Sequence, residues 1–323
     1  MSPPLRLFVL TAAAWLLFAG GGALAMRIFF PRLRRTLAPI APHRRAEWLV
    51  AAAGAPPVTA AVLVTACFLP SLTALAGLGV DHCPLHGGHH AHLCFAHLPA
   101  RPLGAVELLL VGTASAVLAC MATRFALAQG RAWRSVQALV RASREDEVRA
   151  ARPLAVTVGF WKPRVIVTSE LRSLLAPEEL DVVVEHERAH ARRRDPLRVT
   201  VAAALAVAHL PSVRRAILRD LALACEEACD EDAAGRLGGD RLRVAETLVV
   251  VEKLAARAAW APVAIGGGDV SARVESLLSP ALPDSAVPRA LTLVTAVGIA
   301  GAVVALAPSI HHIAETLLGF LAP

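Results

Sequence analysis

Two histidines stand four residues apart, with a glutamate directly after the first, in the run Glu185-His186-Glu187-Arg188-Ala189-His190. On a helix this spacing brings both imidazoles to one face, about one turn apart, where they reach a single tetrahedral zinc ion with Glu187 beside it. Zinc acidifies water, and a carboxylate placed like Glu187 can take the released proton and pass it to a leaving amine. The pattern is therefore one for peptide-bond hydrolysis. The flanks predict the helix itself. Pro177 suits a first helical position, Glu178 and Glu179 favour the positive end of the dipole, and Arg192, Arg193 and Arg194 favour the negative end before Pro196 stops the helix. Leu180, Val183 and Val184 form its apolar stripe.

A catalytic zinc takes three protein ligands and keeps one open position. The third ligand is sought in Cys225-Glu226-Glu227-Ala228-Cys229-Asp230, within a helical Leu/Ala-rich run. Glu226 and Asp230 share a face at i, i+4. Glu226 can bind zinc while Asp230 holds a ligand imidazole through its other nitrogen. Cys225 and Cys229 have the same spacing, so a His/His/Cys set is a rival, and small buried core residues are the other reading of both cysteines. Upstream, the β-branched run Val165 to Thr168, bounded by Pro163 and Ser169, predicts a short strand with Leu154 to Val158 as hairpin partner.

Taken together, His186-Glu187-x-x-His190, Arg193-Arg194-Asp195-Pro196-Leu197, Glu226-x-x-x-Asp230 with its Cys-Asp pair, and the stretch Gly159 to Thr168 resemble the membrane metallopeptidases typified by the BlaR/MecR β-lactam sensor-transducers, over roughly residues 100 to 310. The resemblance implies a gluzincin-type α+β peptidase domain with His186, His190 and Glu226 as Zn2+ ligands, Glu187 as general base and Asp230 behind a ligand. It also implies that the strand at Val165 to Thr168 is an edge strand that can lay substrate backbone across the zinc. The implied substrate is a cytoplasmic winged-helix transcriptional repressor, cleaved in transmembrane signalling. One departure stands out. After the last apolar segment only Ser309 to Pro323 follow, so the penicillin-binding sensor domain of the named members, and with it a β-lactam input, is not expected here.

The elements that must carry this site lie in a membrane. Of the 323 residues 56% are hydrophobic, and mean hydropathy is positive. Leu7 to Met26, Trp48 to about Val80, Pro102 to Thr123 and Ala290 to Pro308 each approach or exceed the ~20 apolar residues that cross a bilayer. The second is interrupted by Pro56, Pro57 and Pro70. Ala23-Leu24-Ala25 resembles a signal-peptide cleavage site, but the long apolar run and the arginines after it favour an uncleaved span. Arg27, Arg32, Arg34, Arg35, Arg44 and Arg45 follow span one, and Arg124, Arg131, Arg134, Arg141 and Arg144 follow span three. Positive loops stay inside, which predicts an external N-terminus and a cytoplasmic site. The formal charge of +7 thus sets topology and attracts anionic lipid heads. With no DNA-reading motif or interleaved aromatics, direct nucleic-acid binding is not expected.

The predicted external loop holds His82, His86, His89, His90, His92 and His97, with Cys83 and Cys94. It can bind zinc, copper or nickel, close a disulfide, or be a plain polar loop. Val199 to Leu210 is too short to span and is expected to pack as a core helix. His209 at its end is either a core histidine or a neighbour of the active site. Since the chain has no tyrosine, oxyanion stabilisation falls to zinc itself, an arginine or His209. The expected protein is a multispan α-helical membrane protein of about four spans with a cytoplasmic α+β zinc peptidase domain. Residues 1–123 form the three-span membrane region, 124–288 the peptidase domain, and 289–323 the fourth span and an external tail. Two other classes stay open: a quality-control peptidase of membrane proteins, and a non-proteolytic metal sensor built on the histidine loop.

Overall fold

The computed structural model describes residues 2–78, 93–95, 104–142, 147–148, 153–257, 270–282 and 289–320. Four of its helices are long and apolar enough to cross a membrane, which makes this a multispan, mostly helical membrane protein. They are α1 (Pro3–Leu37), α2 (Pro42–Leu75), α3 (Ala105–Ala142) and α10 (Arg289–Phe320). Their limits differ from the apolar runs. The second helix ends at Leu75, short of Val80. The fourth passes through Pro308, and its apolar window is Val297–Gly319 where the composition marked Ala290 to Pro308, so most of the expected external tail is helix. Its buried face carries Ala307, Ala314 and Leu318, and packing there outweighs the single hydrogen bond that Pro308 removes.

Nor do Pro56 and Pro57 break α2, because the damage they do is repaired from outside the helix. A proline supplies no N–H to the carbonyl four residues earlier, so Pro56 and Pro57 leave Ala52 O and Ala53 O without helical donors. His209 Nε2 lies 3.1 Å from Ala52 O and 3.1 Å from Ala53 O. Carbonyls only accept, so Nε2 carries the hydrogen and serves both. His209 therefore fills a core role. Its ring is committed to α2 and is not the oxyanion donor that the lack of tyrosine left open.

The short α1–α2 connection forms a hairpin whose ends grip the metal-site region. Phe30, Leu37, Ala46, Leu49 and Ala53 pack with Ala202, Ala206, Val213, Ile217, Leu221 and Ala224 in one buried cluster. The last six belong to α6 (Asp195–Leu205), the 3-10 turn 206–208 and α7 (Pro211–Arg236). The expected core helix is thus α6 with its turn, lying directly on α2. Arginines of α1 and α2 also make specific bonds. Arg27 donates to Ser212, Arg34 pairs with Asp220 at 2.6 Å, and Arg45 pairs with the buried Glu227. At the far end of α2, Leu93 packs among Leu7, Leu10, Val64, Phe68 and Leu318, and its N–H donates to Glu315 Oε1 at 3.1 Å. The cluster His82, His86, His89, His90, His92 and His97, with Cys83, lies outside the described residues.

The remaining unit holds β1 (Glu147–Val148), β2 (Ala155–Val158) and β3 (Arg164–Thr168), then α4 (Ser169–Leu174), α5 (Pro177–Arg193), α8 (Arg241–Arg257) and α9 (Val270–Leu278). Sheet order is β1-β3-β2, with β2 antiparallel and β1 parallel to β3. The Leu154–Val158 pairing with Val165–Thr168 matches the predicted hairpin, with Val156 opposite Ile166 and Thr157 opposite Val165. The edge assignment does not match. β1 pairs with Val167 and Thr168 on the other side of β3, so β3 is the central strand, and β1 and β2 are the outer strands among the described residues.

Candidate metal centre

Three elements converge on the histidines. In α5, Pro177 begins the helix, and Glu179 Oε2 accepts from the Ala176 N–H at 2.9 Å. The helix ends at Arg194, whose positive φ of 54° turns the chain sharply into α6. That turn swings Asp195 back under His190. The rings of His186 and His190 stand 4.8 Å apart, centroid to centroid, on the face toward α7.

Glu226, on α7, meets both imidazoles. Its Oε2 lies 3.4 Å from His186 Nε2 and its Oε1 lies 3.5 Å from His190 Nε2. The second nitrogens face other carboxylates: His186 Nδ1 is 2.9 Å from Asp230 Oδ1, and His190 Nδ1 is 3.0 Å from Asp195 Oδ2. All three acids are buried. Burial alone would push the imidazole of His186 down, yet its contacts with Asp230 and Glu226 leave it above its usual range. His190 rises further against burial, drawn up by Asp195, Cys229 and Glu226. Burial would raise the carboxyls, but Glu226 is held below its usual range by His186, His190 and Arg273, Asp230 by Arg273 and then His186, and Asp195 by His190, Arg198 and Arg193.

The sequence-predicted residues His186, His190, Glu226 and Asp230 are therefore brought together, and Glu187 stands beside them on α5. Cys229 takes a different place from the rival third-ligand position. Its sulfur sits behind His190, 3.3 Å from Nδ1 and 3.4 Å from Asp195 Oδ2, away from the Nε2 atoms that meet Glu226. Burial pushes this thiol, and that of Cys225, up to about 12, so both stay protonated.

Three further residues had no role in the sequence reading. Asp195 was visible only as part of a motif; it also accepts from Arg198 at 2.8 Å. Arg273, on α9, is bidentate to Asp230 at 2.6 and 2.8 Å and reaches Glu226 at 3.0 Å. No local pattern links it to residues more than forty positions earlier. Thr157, on β2, places its hydroxyl 2.6 Å from Glu187 O and 2.9 Å from Glu187 Oε2. The antiparallel register on β3 fixes it there.

Whether this set suits a metal can be judged from its donors. His186, His190 and Glu226 each offer one atom, all within 4.8 Å of one another. A tetrahedral ion with bonds of about 2.0–2.1 Å sits among ligands separated by about 3.3–3.4 Å, and each imidazole Nε2 lies at 3.4 or 3.5 Å from a different oxygen of Glu226. Each imidazole also has a carboxylate at its rear nitrogen, the arrangement that points a lone pair toward a metal. The donor set fits. A family model described as BlaR1 peptidase M56 matches residues 105–277, more than half of the chain. No curated protein matches the chain. No solved structure matches it either.

Proposed function

The chain belongs to the BlaR1 peptidase M56 family, membrane-associated metallopeptidases, and we propose from that premise that it is a zinc-dependent endopeptidase whose site faces the cytoplasm. The observation that carries the reading is the meeting of His186 Nε2 and His190 Nε2 on the two oxygens of Glu226 at 3.4 and 3.5 Å. His186, His190 and Glu226 would hold the ion. When bound, zinc supplies Lewis acidity toward the scissile carbonyl and toward water. The chain's own groups do the rest. Glu187 accepts a proton and returns it to the departing amine. Asp230 and Asp195 keep hydrogens on the rear nitrogens of the two imidazoles and fix their orientation. Arg273 holds Glu226 and Asp230 in place from behind.

Orientation rests on the arginines at the end of α1, at the start of α2 and in the second half of α3, which retain those segments inside. The pairing of Arg34 and Arg45 with α7 keeps the site on that same side. A gluzincin-type α+β domain and a cytoplasmic transcriptional repressor as substrate follow from the family resemblance. The test is zinc content and proteolysis, measured side by side for wild type, Glu187→Gln and Glu226→Ala. Glu187→Gln should keep stoichiometric zinc and lose cleavage, whereas Glu226→Ala should lose both. For the substrate, a repressor encoded beside this gene should be cleaved with wild type and stay intact with Glu187→Gln. Equal survival with both under every inducing condition removes the repressor from the reading.

A further inference from the structure

Thr157 is buried at 7% exposure in the middle of β2, and its hydroxyl oxygen stands between two oxygens of a single residue, Glu187 O at 2.6 Å and Glu187 Oε2 at 2.9 Å. A hydroxyl has one hydrogen to give and two lone pairs. Both contacts are short enough to be hydrogen bonds, and the one hydrogen of Thr157 is shared between the two oxygens as a three-centre bond.

We propose that Thr157 is the positioning residue of Glu187, a hydroxyl anchor that holds its carboxylate in one place. The proposal rests on the reading of Glu187 as general base. The Thr157 O–H, shared between Glu187 O and Glu187 Oε2, ties the carboxylate to β2 and to its own backbone at once, so its place is set by the sheet and not by its own rotatable bonds.

The surroundings suit such an anchor. Threonine is stiff at χ1 because its Cβ is branched, and its backbone is locked opposite Val165 in the sheet. Glu187 lies inside α5, so its carbonyl has a helical donor and does not need the hydroxyl. A purely structural role, as a tie between β2 and α5, would need only the contact to the carbonyl. The approach to Oε2 is what assigns Thr157 to the chemistry.

The experiment uses the full-length, zinc-loaded protein in nanodiscs, comparing wild type with Thr157→Val, Thr157→Ser, Thr157→Ala and Glu187→Gln. Zinc stoichiometry, kcat and KM on fluorescent casein, and affinity for a peptidyl hydroxamate are measured for each. The hydroxamate is an acid that leaves its proton with the base, so its binding reads the Glu187 geometry without turnover. Thr157→Val should keep full zinc and a KM within about twofold, with kcat and hydroxamate affinity each down on the order of tenfold. Thr157→Ser, which restores the hydroxyl without the branch, should return both to within about threefold of wild type. Wild-type kcat and affinity in Thr157→Val overturn the proposal, as does a serine variant as impaired as the valine one. If Thr157→Val does not fold, serine against alanine decides on the same criteria; if casein is not cut, the hydroxamate arm decides. An active Glu187→Gln means that the base reading has failed, whereas an inactive Glu187→Gln beside an unaffected Thr157→Val means that only this inference has.

Discussion

Replacing Arg273 with methionine keeps an apolar stem of similar reach and removes the guanidinium that touches both Glu226 and Asp230 on α7. Its guanidinium makes two bonds to Asp230 at 2.6 and 2.8 Å and one to Glu226 at 3.0 Å, with the side chain 9% exposed. Taking away one partner of a buried ionic network leaves the other charges uncompensated and costs about 3–5 kcal/mol. In a unit of 150–250 residues each kcal/mol moves the melting temperature by about 2–4 °C, so the metal-free variant should melt roughly 6–20 °C below wild type. Zinc changes the balance, because a dication beside Glu226 replaces the lost positive charge. The deficit should therefore shrink on loading, and zinc should stabilise Arg273→Met more than it stabilises wild type. Thermal unfolding of the full chain in detergent, after chelation and again with zinc restored, reads both quantities. A metal-free deficit below about 1 kcal/mol, or equal deficits with and without zinc, refutes the role given to Arg273.

Three other outcomes follow from the same geometry. Asp195→Asn loses the carboxylate behind His190 Nδ1 and should weaken zinc binding by about 10–100-fold in competition with a chelator; unchanged affinity would detach Asp195 from the metal site. His209→Leu leaves Ala52 O and Ala53 O without a donor, at a cost of about 1–3 kcal/mol per buried carbonyl. Adding Pro57→Ala, which gives Ala53 O an N–H again, should recover part of that loss in chemical or thermal unfolding, and strict additivity of the two changes would contradict the account. For pH, the carboxyls of Asp195, Glu226 and Asp230 are depressed, so their contribution is present above their ordinary values of 3.8 to 4.5 and is lost as pH falls through the folded values. The imidazoles of His186 and His190 are raised, so theirs is complete below 6.5 and is lost as pH rises through the folded values. Metal-free protein should thus be most stable between about 4.5 and 6.5 and lose melting temperature on alkalinisation, while zinc affinity, which needs neutral imidazoles, rises over the same interval. A metal-free melting temperature that climbs from pH 6.5 to 9 would contradict this.

What could be read along the chain was local. Pro177, the acids after it and the arginines before Pro196 mark both ends of α5, because capping and dipole effects act within one turn. The i, i+4 rule puts His186 and His190 on one face, and β-branching marks β3. The apolar runs find four spans but misplace their ends. Hydropathy says nothing of His209 standing ready to serve the carbonyls that Pro56 and Pro57 strip, nor of a buried face carrying α10 through Pro308.

The sequence alone determined which donors could serve a metal and that they would ride on helices in a membrane protein, since spacing, charge and apolar length are properties of neighbours in the chain. Only the tertiary structure decided that Glu226, and not Cys229, meets both imidazoles, that Asp195, Asp230 and Arg273 stand behind them, and that Thr157 reaches Glu187. Those choices depend on how α7, α9 and β2 pack against α5. Such packing is set by the complementary surfaces of segments far apart in the chain, for which no short-range periodicity carries a signal.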